Sequence, residues 1–295
     1  MYRDLFGNPR LKINLHLHTT CSDGSASPEE AARFYREAGY DAIALTDHWV
    51  PGKEQTLSGL PILSGCEYDV GSDPSTDPIF HIIGIGFTAE PAIERGMRPN
   101  AMIHAIHAAG GYAILAHPEW SLETVEQIMA EDGASMADGA EIYNTVSDFG
   151  MSYRADSSAI LDRVAIAGRA FPLHAADDTH YYTGDQCRSY LMVQTDEPTR
   201  EKILSALREG QFYASQGPEI HAWIEGDRVF VRTSPVKRIN FHTSLAWCEG
   251  AVVRGYGMTE ASFTLPSNAV FVRVSAQDED GRQAWTSFLP IPNRE

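Results

Sequence analysis

Before residue 218 the chain repeats one pattern, a short apolar run followed by a helical stretch, and that repetition limits the folds open to it. The runs occupy residues 13–17, 41–45, 79–85, 112–116, 139–143 and 191–194. Apolar runs of this length, bounded by turn residues, read as buried strands. Between them, Ser27-Pro28-Glu29-Glu30 offers an N-cap, a proline at the first helical position and a capping-box glutamate, and Gly39 closes the helix they open. Asn100 and Gly110 bracket a second helix, and further helical patterns cover 121–131, 155–167 and 198–208. Strand, helix, strand in repetition predicts an α/β domain with a largely parallel sheet.

The texture changes after Gly217-Pro218. Residues 229–233 and 270–274 alternate apolar and polar side chains, the period of strands with one wet face. The expected division is therefore an α/β domain over 1–217 and a small all-β, sandwich-like domain over 218–295. The tail contains His221, His242 and Trp247 without ligand spacing, so these read as packing or oligomer surface. The stretch 71–78, rich in Asp, Ser and Pro, reads as a loop.

Composition excludes several classes. No stretch approaches the roughly 20 apolar residues of a membrane span, and the first residues lack the apolar run of a signal peptide, so a cytoplasmic protein without membrane contact is expected. Forty acidic residues against 23 basic ones give a formal charge of -17. Such a surface repels phosphate backbones, and no nucleic-acid partner is expected. The four cysteines, Cys21, Cys66, Cys187 and Cys248, show no C-x-x-C spacing and read as reduced thiols. Oligomeric state is not legible.

The chemistry starts at His16-Leu17-His18. Residues two apart on a strand project to one face, which suits two imidazoles on one metal. Asp23 follows in a Ser22-Asp23-Gly24 turn. His48 ends the strand pattern of Ala42 to Asp47, and His117 ends that of Ile114 to Ala116. Glu67 after Leu63-Ser64-Gly65-Cys66, and Asp178 and His180 after Phe171 to Ala176, repeat the arrangement. In α/β folds ligands bind at that end of the strands. One such histidine is usually a satisfied hydrogen-bonding residue, but so many strands ending in ligand-type side chains point to a common site. His81 lies within a strand pattern and needs a buried partner that a metal can supply.

Taken in order, H-x-H with S-D-G, T-D-H, a Glu after a strand, a strand His, A-H-P and D-x-H resemble the motifs of the PHP (polymerase and histidinol phosphatase) metal-dependent phosphoesterases over roughly residues 11 to 215. The resemblance implies a distorted, seven-stranded β/α barrel and a trinuclear site. It implies that His16, His18, Glu67 and Asp178 hold one metal, that Glu67 bridges to a second completed by His81 and His117, and that Asp23, His48 and His180 hold a third. Glu67, His117, Asp178 and His180 are the implied catalytic set. The stretch Arg208 to Ser215 and the closing Gly281 to Trp285 also resemble a bacterial branch related to aryl-carbamate hydrolases with a β-rich tail.

Imidazole and carboxylate ligands without thiolates fit two to three divalent ions, Mn, Fe or Zn. The function expected is a metal-dependent phosphatase acting on a small phosphorylated metabolite through activated water. A carboxyl ester, amide or carbamate hydrolase using the same metals is the first alternative, and a non-catalytic metal-binding module the second. A phosphate substrate calls for forked cationic donors, and Arg154 and Arg188 are the candidates, with Asn144 as a group that could orient substrate or water. His104 and His107, three residues apart on one helix, read as core or interface residues, and Asp47 and Asp177 as supports of neighbouring ligands.

Overall fold

The computed structural model describes residues 2–73, 75–151 and 153–292. The architecture is α/β with two mixed sheets. The first helix, Pro28–Glu37, starts where the sequence places it. Ser27 Oγ accepts from the Glu30 amide, and the Glu30 side chain accepts from the Ser27 amide. That helix buries Ala31, Ala32 and Tyr35 against Leu17, Ile43 and Ile62. Pro99–Ala108, Ser158–Ile166 and Arg200–Arg208 form three more helices. The helix expected over 121–131 shrinks to Val125–Met129. Leu122 adopts φ 59°, which a helix cannot accommodate, and capping begins only at Thr124.

The smaller sheet runs, in spatial order, through Leu173–Ala176, Gly139–Asn144, Tyr112–Leu115, Phe80–Ile85 and Gly65–Val70. Its first three strands are parallel, with a helix in each connection. Gly65–Val70 and Phe80–Ile85 are antiparallel instead. They are joined by the expected loop of 71–78, too short for a parallel crossover. The expectation of a largely parallel sheet is corrected accordingly.

Among the described residues the larger sheet has twelve strands. Pro9–Asn14, Ala42–Ala44 and Leu60–Leu63 are parallel neighbours, and Tyr190–Val193 and Phe212–Ser215 continue antiparallel from Pro9–Asn14. The tail then extends this same sheet. Gln283–Trp285 pairs with Phe212–Ser215 and with Val272–Gln277, which leads on to the long strands Arg228–Thr243 and Val252–Thr264. The tail was expected as a sandwich-like unit of its own. Its strands instead cover an edge of the α/β sheet that would otherwise present unpaired amides and carbonyls. It still gathers its own core around Val231, Ile239, Phe241 and Val274, which borrows Met192 and Tyr213 from the body. Trp285 packs the other way, into the main core.

Two isolated parallel bridges join the sheets, Leu17 with Thr179 and His48 with Glu67. Both lie among the proposed ligands. No helix among the described residues is long and apolar enough to cross a membrane.

Candidate metal centre

The strand expected over 13–17 ends at Asn14, so His16 and His18 stand just past it. Asn14 Oδ1 accepts from the His16 amide (3.0 Å), and the His18 amide donates to the Thr179 carbonyl (2.9 Å). This extended segment keeps the two-residue alternation, so both rings turn inward and are fully buried. Glu67 also departs from expectation, lying within Gly65–Val70 rather than after a strand. His81 faces it from Phe80–Ile85, with its Nδ1 2.8 Å from Glu67 Oε1.

His117 and Asp178 each stand two positions past a strand, Tyr112–Leu115 and Leu173–Ala176 respectively. Both have positive φ, 27° and 52°. Left-handed backbone at a residue with a Cβ costs roughly 1 to 3 kcal/mol and persists where its surroundings impose it, characteristically at functional sites.

Four buried ligand atoms converge. His16 Nε2 lies 3.1 Å from Glu67 Oε2 and 3.0 Å from Asp178 Oδ1. His18 Nε2 lies 3.0 Å from each of the same oxygens and 3.3 Å from His16 Nε2. Asp178 Oδ1 nevertheless has no hydrogen-bond partner. A tetrahedral ion with bonds of about 2.0 to 2.1 Å would hold neighbouring ligand atoms roughly 3.3 to 3.4 Å apart. The four atoms therefore fit around one shared cation, which would also satisfy the orphaned oxygen.

The other proposed ligands gather beside this group. Glu67 Oε1 reaches His81 and, at 3.4 Å, His117 Nε2, while its Oε2 serves the first group. One carboxylate thus faces two ligand clusters. Asp23 Oδ2 lies 3.5 Å from His180 Nε2 and 3.9 Å from His48 Nε2. His48 Nδ1 is buried, unpartnered and 3.4 Å from Glu67 Oε2, so this ring stands between the second and third clusters. Gly24 matters to the placing of Asp23, because a Cβ there would lie 2.4 Å from the His18 carbonyl oxygen.

Electrostatics tie the cluster together. Burial opposes charge on His16, but the Asp178, Glu67 and Glu141 carboxylates outweigh it and raise the ring well above the ordinary histidine range. Burial likewise opposes charge on His18, yet Asp178 and Glu67 raise it to about 9. Burial would raise Glu67 and Asp178, but the histidines hold both well below the usual carboxylate range. Protons on imidazoles balance the carboxylates here, and a divalent ion would displace them.

The sequence reading missed Glu141. Wholly buried on Gly139–Asn144, it accepts from His16 Nδ1 (2.8 Å), from the His117 amide (3.0 Å) and from Asn144 Nδ2 (2.9 Å). It fixes the His16 tautomer with Nε2 facing the cluster. An acidic residue inside an apolar strand run was the available signal. Asn144, expected at the substrate, donates its two amide hydrogens to Glu141 and Asp178 and so braces the cluster. Asp177 accepts from Asn14, Tyr35, Thr145 and the amides of residues 187 to 189, bracing the strand end. Asp47 holds the 19–22 loop through the Thr19 and Ser22 amides and hydroxyls. His107 pairs with Asp138 at 2.8 Å, away from the cluster.

A cavity of about 330 Å³ opens onto the cluster, lined by Asp23, His48, Glu67, His81, His117, Asp178 and His180 together with Trp120, Val146, Ser147 and Tyr181. Arg154 and Arg188 are exposed and do not line it. Arg188 bonds the Gly184 carbonyl and stacks over Phe149. A larger hollow of about 500 Å³ between body and tail, walled by Arg10, Phe171 and Phe288, is without such convergence. A further acidic group, Asp4 and Glu219 with His221, is already satisfied by Arg10, Tyr2 and backbone amides.

No protein-family model matches the chain. It is 33% identical over 93 residues to a 3',5'-nucleoside bisphosphate phosphatase of Chromobacterium violaceum, a match covering 29% of this chain and 32% of that protein. It is 29% identical over 120 residues to an uncharacterized protein of Methanocaldococcus jannaschii, covering 37% of this chain and 68% of the other. Among solved structures, a two-domain protein of Bacteroides vulgatus containing a predicted PHP-like metal-dependent phosphoesterase aligns over 98% of both chains with a TM-score of 0.55 at 14% identity. The chain therefore shares the fold of that two-domain, PHP-like protein, and the likeness runs through the tail.

Proposed function

We propose that this chain, built on the PHP-like fold, is a metal-dependent phosphoesterase that hydrolyses a small phosphorylated metabolite. The observation that carries the reading is the convergence of His16, His18, Glu67 and Asp178 on one point at 3.0 to 3.3 Å. The likeness to a bisphosphate phosphatase over part of the chain supports the reaction class. Two further clusters, Glu67 with His81 and His117, and Asp23 with His48 and His180, support a trinuclear site. The bridges at Leu17 and His48 support a ring of seven strands around it.

Divalent ions held here, Mn, Fe or Zn, would supply Lewis-acid polarisation of a phosphoryl oxygen and water of lowered pKa. The chain's own residues do the rest. Glu141 holds His16 in one tautomer, Asn144 orients Asp178, and the His180 Nδ1 hydrogen bond to the Asp178 carbonyl (2.7 Å) turns Nε2 toward Asp23. Glu67, His117, Asp178 and His180 line the cavity, beside Asp23, His48 and His81, and are the four to which we assign the catalytic role.

One observation favours a second reading. No arginine or lysine is among the lining residues, which suits a carbonyl substrate such as an ester, amide or carbamate. Elemental analysis with hydrolysis of an aryl phosphate and an aryl ester, before and after chelation, separates the two. Two to three metals per chain with chelator-sensitive phosphate release supports the phosphoesterase. Ester cleavage alone establishes the second reading, and protein that takes up no metal on reconstitution overturns the site.

A further inference from the structure

The cavity has a wall that the metal ligands do not use. Trp120 stands nearly perpendicular to His117 and His81, with ring centroids 4.9 and 5.6 Å away. Tyr181 lies by His180 at 6.3 Å, and Val146 adds an apolar surface. Three carboxylates line the floor, and no arginine or lysine joins them. The guanidiniums of Arg188 and Arg95 are stacked elsewhere, over Phe149 (5.5 Å) and Trp49 (4.4 Å).

We propose that the substrate carries a single phosphoryl group on an alcohol whose remainder is flat, apolar and uncharged, and that Trp120 is the specificity-determining residue that receives it. This rests on the phosphoesterase reading. One phosphoryl group can be neutralised by cations among the ligands. A second anionic group would lie against indole, phenol and valine or beside carboxylates, losing water without gaining a forked donor. A flat ring gains dispersion and edge or face contact with the indole, an effect on affinity of about 3- to 10-fold.

The test reads binding as well as turnover. Calorimetry on the metal-loaded protein compares 1-naphthylphosphonate with propylphosphonate in the wild type, Trp120→Leu and Trp120→Phe, with metal content measured in each. The naphthyl compound should bind more tightly, Trp120→Leu should cut that preference by about 3- to 10-fold, and Trp120→Phe should retain most of it. Should Trp120→Leu lose metal, Tyr181→Leu supplies the same comparison from the other end of the cavity. Naphthyl phosphate should also exceed glycerol phosphate and a nucleoside 3',5'-bisphosphate in kcat/KM. Phosphate release without an aryl preference, a preference blind to both substitutions, or a preference for the bisphosphate overturns this inference alone. Absence of phosphate release from every monoester overturns the phosphoesterase reading and this inference with it.

Discussion

At the scale of single residues, the centre is governed by who holds each ligand. His16 is oriented by Glu141, and metal-ligand supports of this kind typically change affinity about 10- to 100-fold when altered. Glu141→Gln keeps the volume but removes the charge, and metal titration should show affinity lowered by about 10-fold or more with the protein still folded. The same residues set a pH dependence. In chelated protein, His18 is raised to about 9 and His16 is raised well above its ordinary value, so their pairing is fully present below about pH 6.5, and the His18 share is lost as pH rises through about 9. Glu67 and Asp178 are depressed, so their share is present above about pH 4 and fades below it. Thermal melts of the metal-free protein should therefore fall from pH 6.5 to 9, while the metal-loaded protein keeps its Tm because the ions replace the protons. A flat Tm in the chelated protein would contradict this assignment. The nine proposed ligands could be named from the sequence because each carries its chemistry in its residue type, and the structure gathers them, but Glu141 could not. Its role depends on a neighbour 125 positions away in the chain.

At the scale of elements, local signals fixed starts better than ends. The Ser27 capping box is complete in the structure, and Ser27→Ala should cost about 1 kcal/mol in chemical denaturation, with little change in metal content. An unchanged midpoint would show that tertiary packing alone holds the helix start. Strand ends were harder to read, because an apolar run does not show where pairing stops. Leu15 and Leu17 look like strand residues and are buried, yet after Asn14 the ladder gives way to the bridge of Leu17 to Thr179 and a backbone bond from the Thr46 amide to the Leu17 carbonyl. His117 and Asp178 have positive φ, which composition cannot signal for residues other than glycine. Arg154, Arg188 and Asn144 each follow a site strand or loop, but chain order does not show side-chain direction: Arg188 lies over Phe149, Asn144 bonds Glu141, and none of the three lines the cavity.

At the scale of the molecule, the tail is fastened to the body by more than its hydrogen-bonded strands. Arg273, fully buried on Val272–Gln277, forms a forked pair with Asp162 on the helix Ser158–Ile166 at 2.7 and 2.8 Å. Removing one partner of such a pair leaves an uncompensated buried charge, so Asp162→Ala should destabilise by about 3 to 5 kcal/mol. Replacing both by apolar residues, as in Asp162→Leu with Arg273→Met, should recover most of that loss. Denaturant melts of the two variants check this, and equal destabilisation would show that packing, not the unpaired charge, carries the cost. Trp285 adds a second anchor by stacking on Tyr143 at 5.5 Å.

The sequence by itself determined the α/β class of the fold and the list of candidate ligands, because strand and helix periods and the chemistry of imidazole and carboxylate are local properties. Only the tertiary structure decided that the tail extends the body's sheet, that Glu141 stands behind His16 and that the cavity presents an indole in place of an arginine. Those facts are distances between residues far apart in the chain, and they follow from how strands choose neighbours, a choice that no local pattern records.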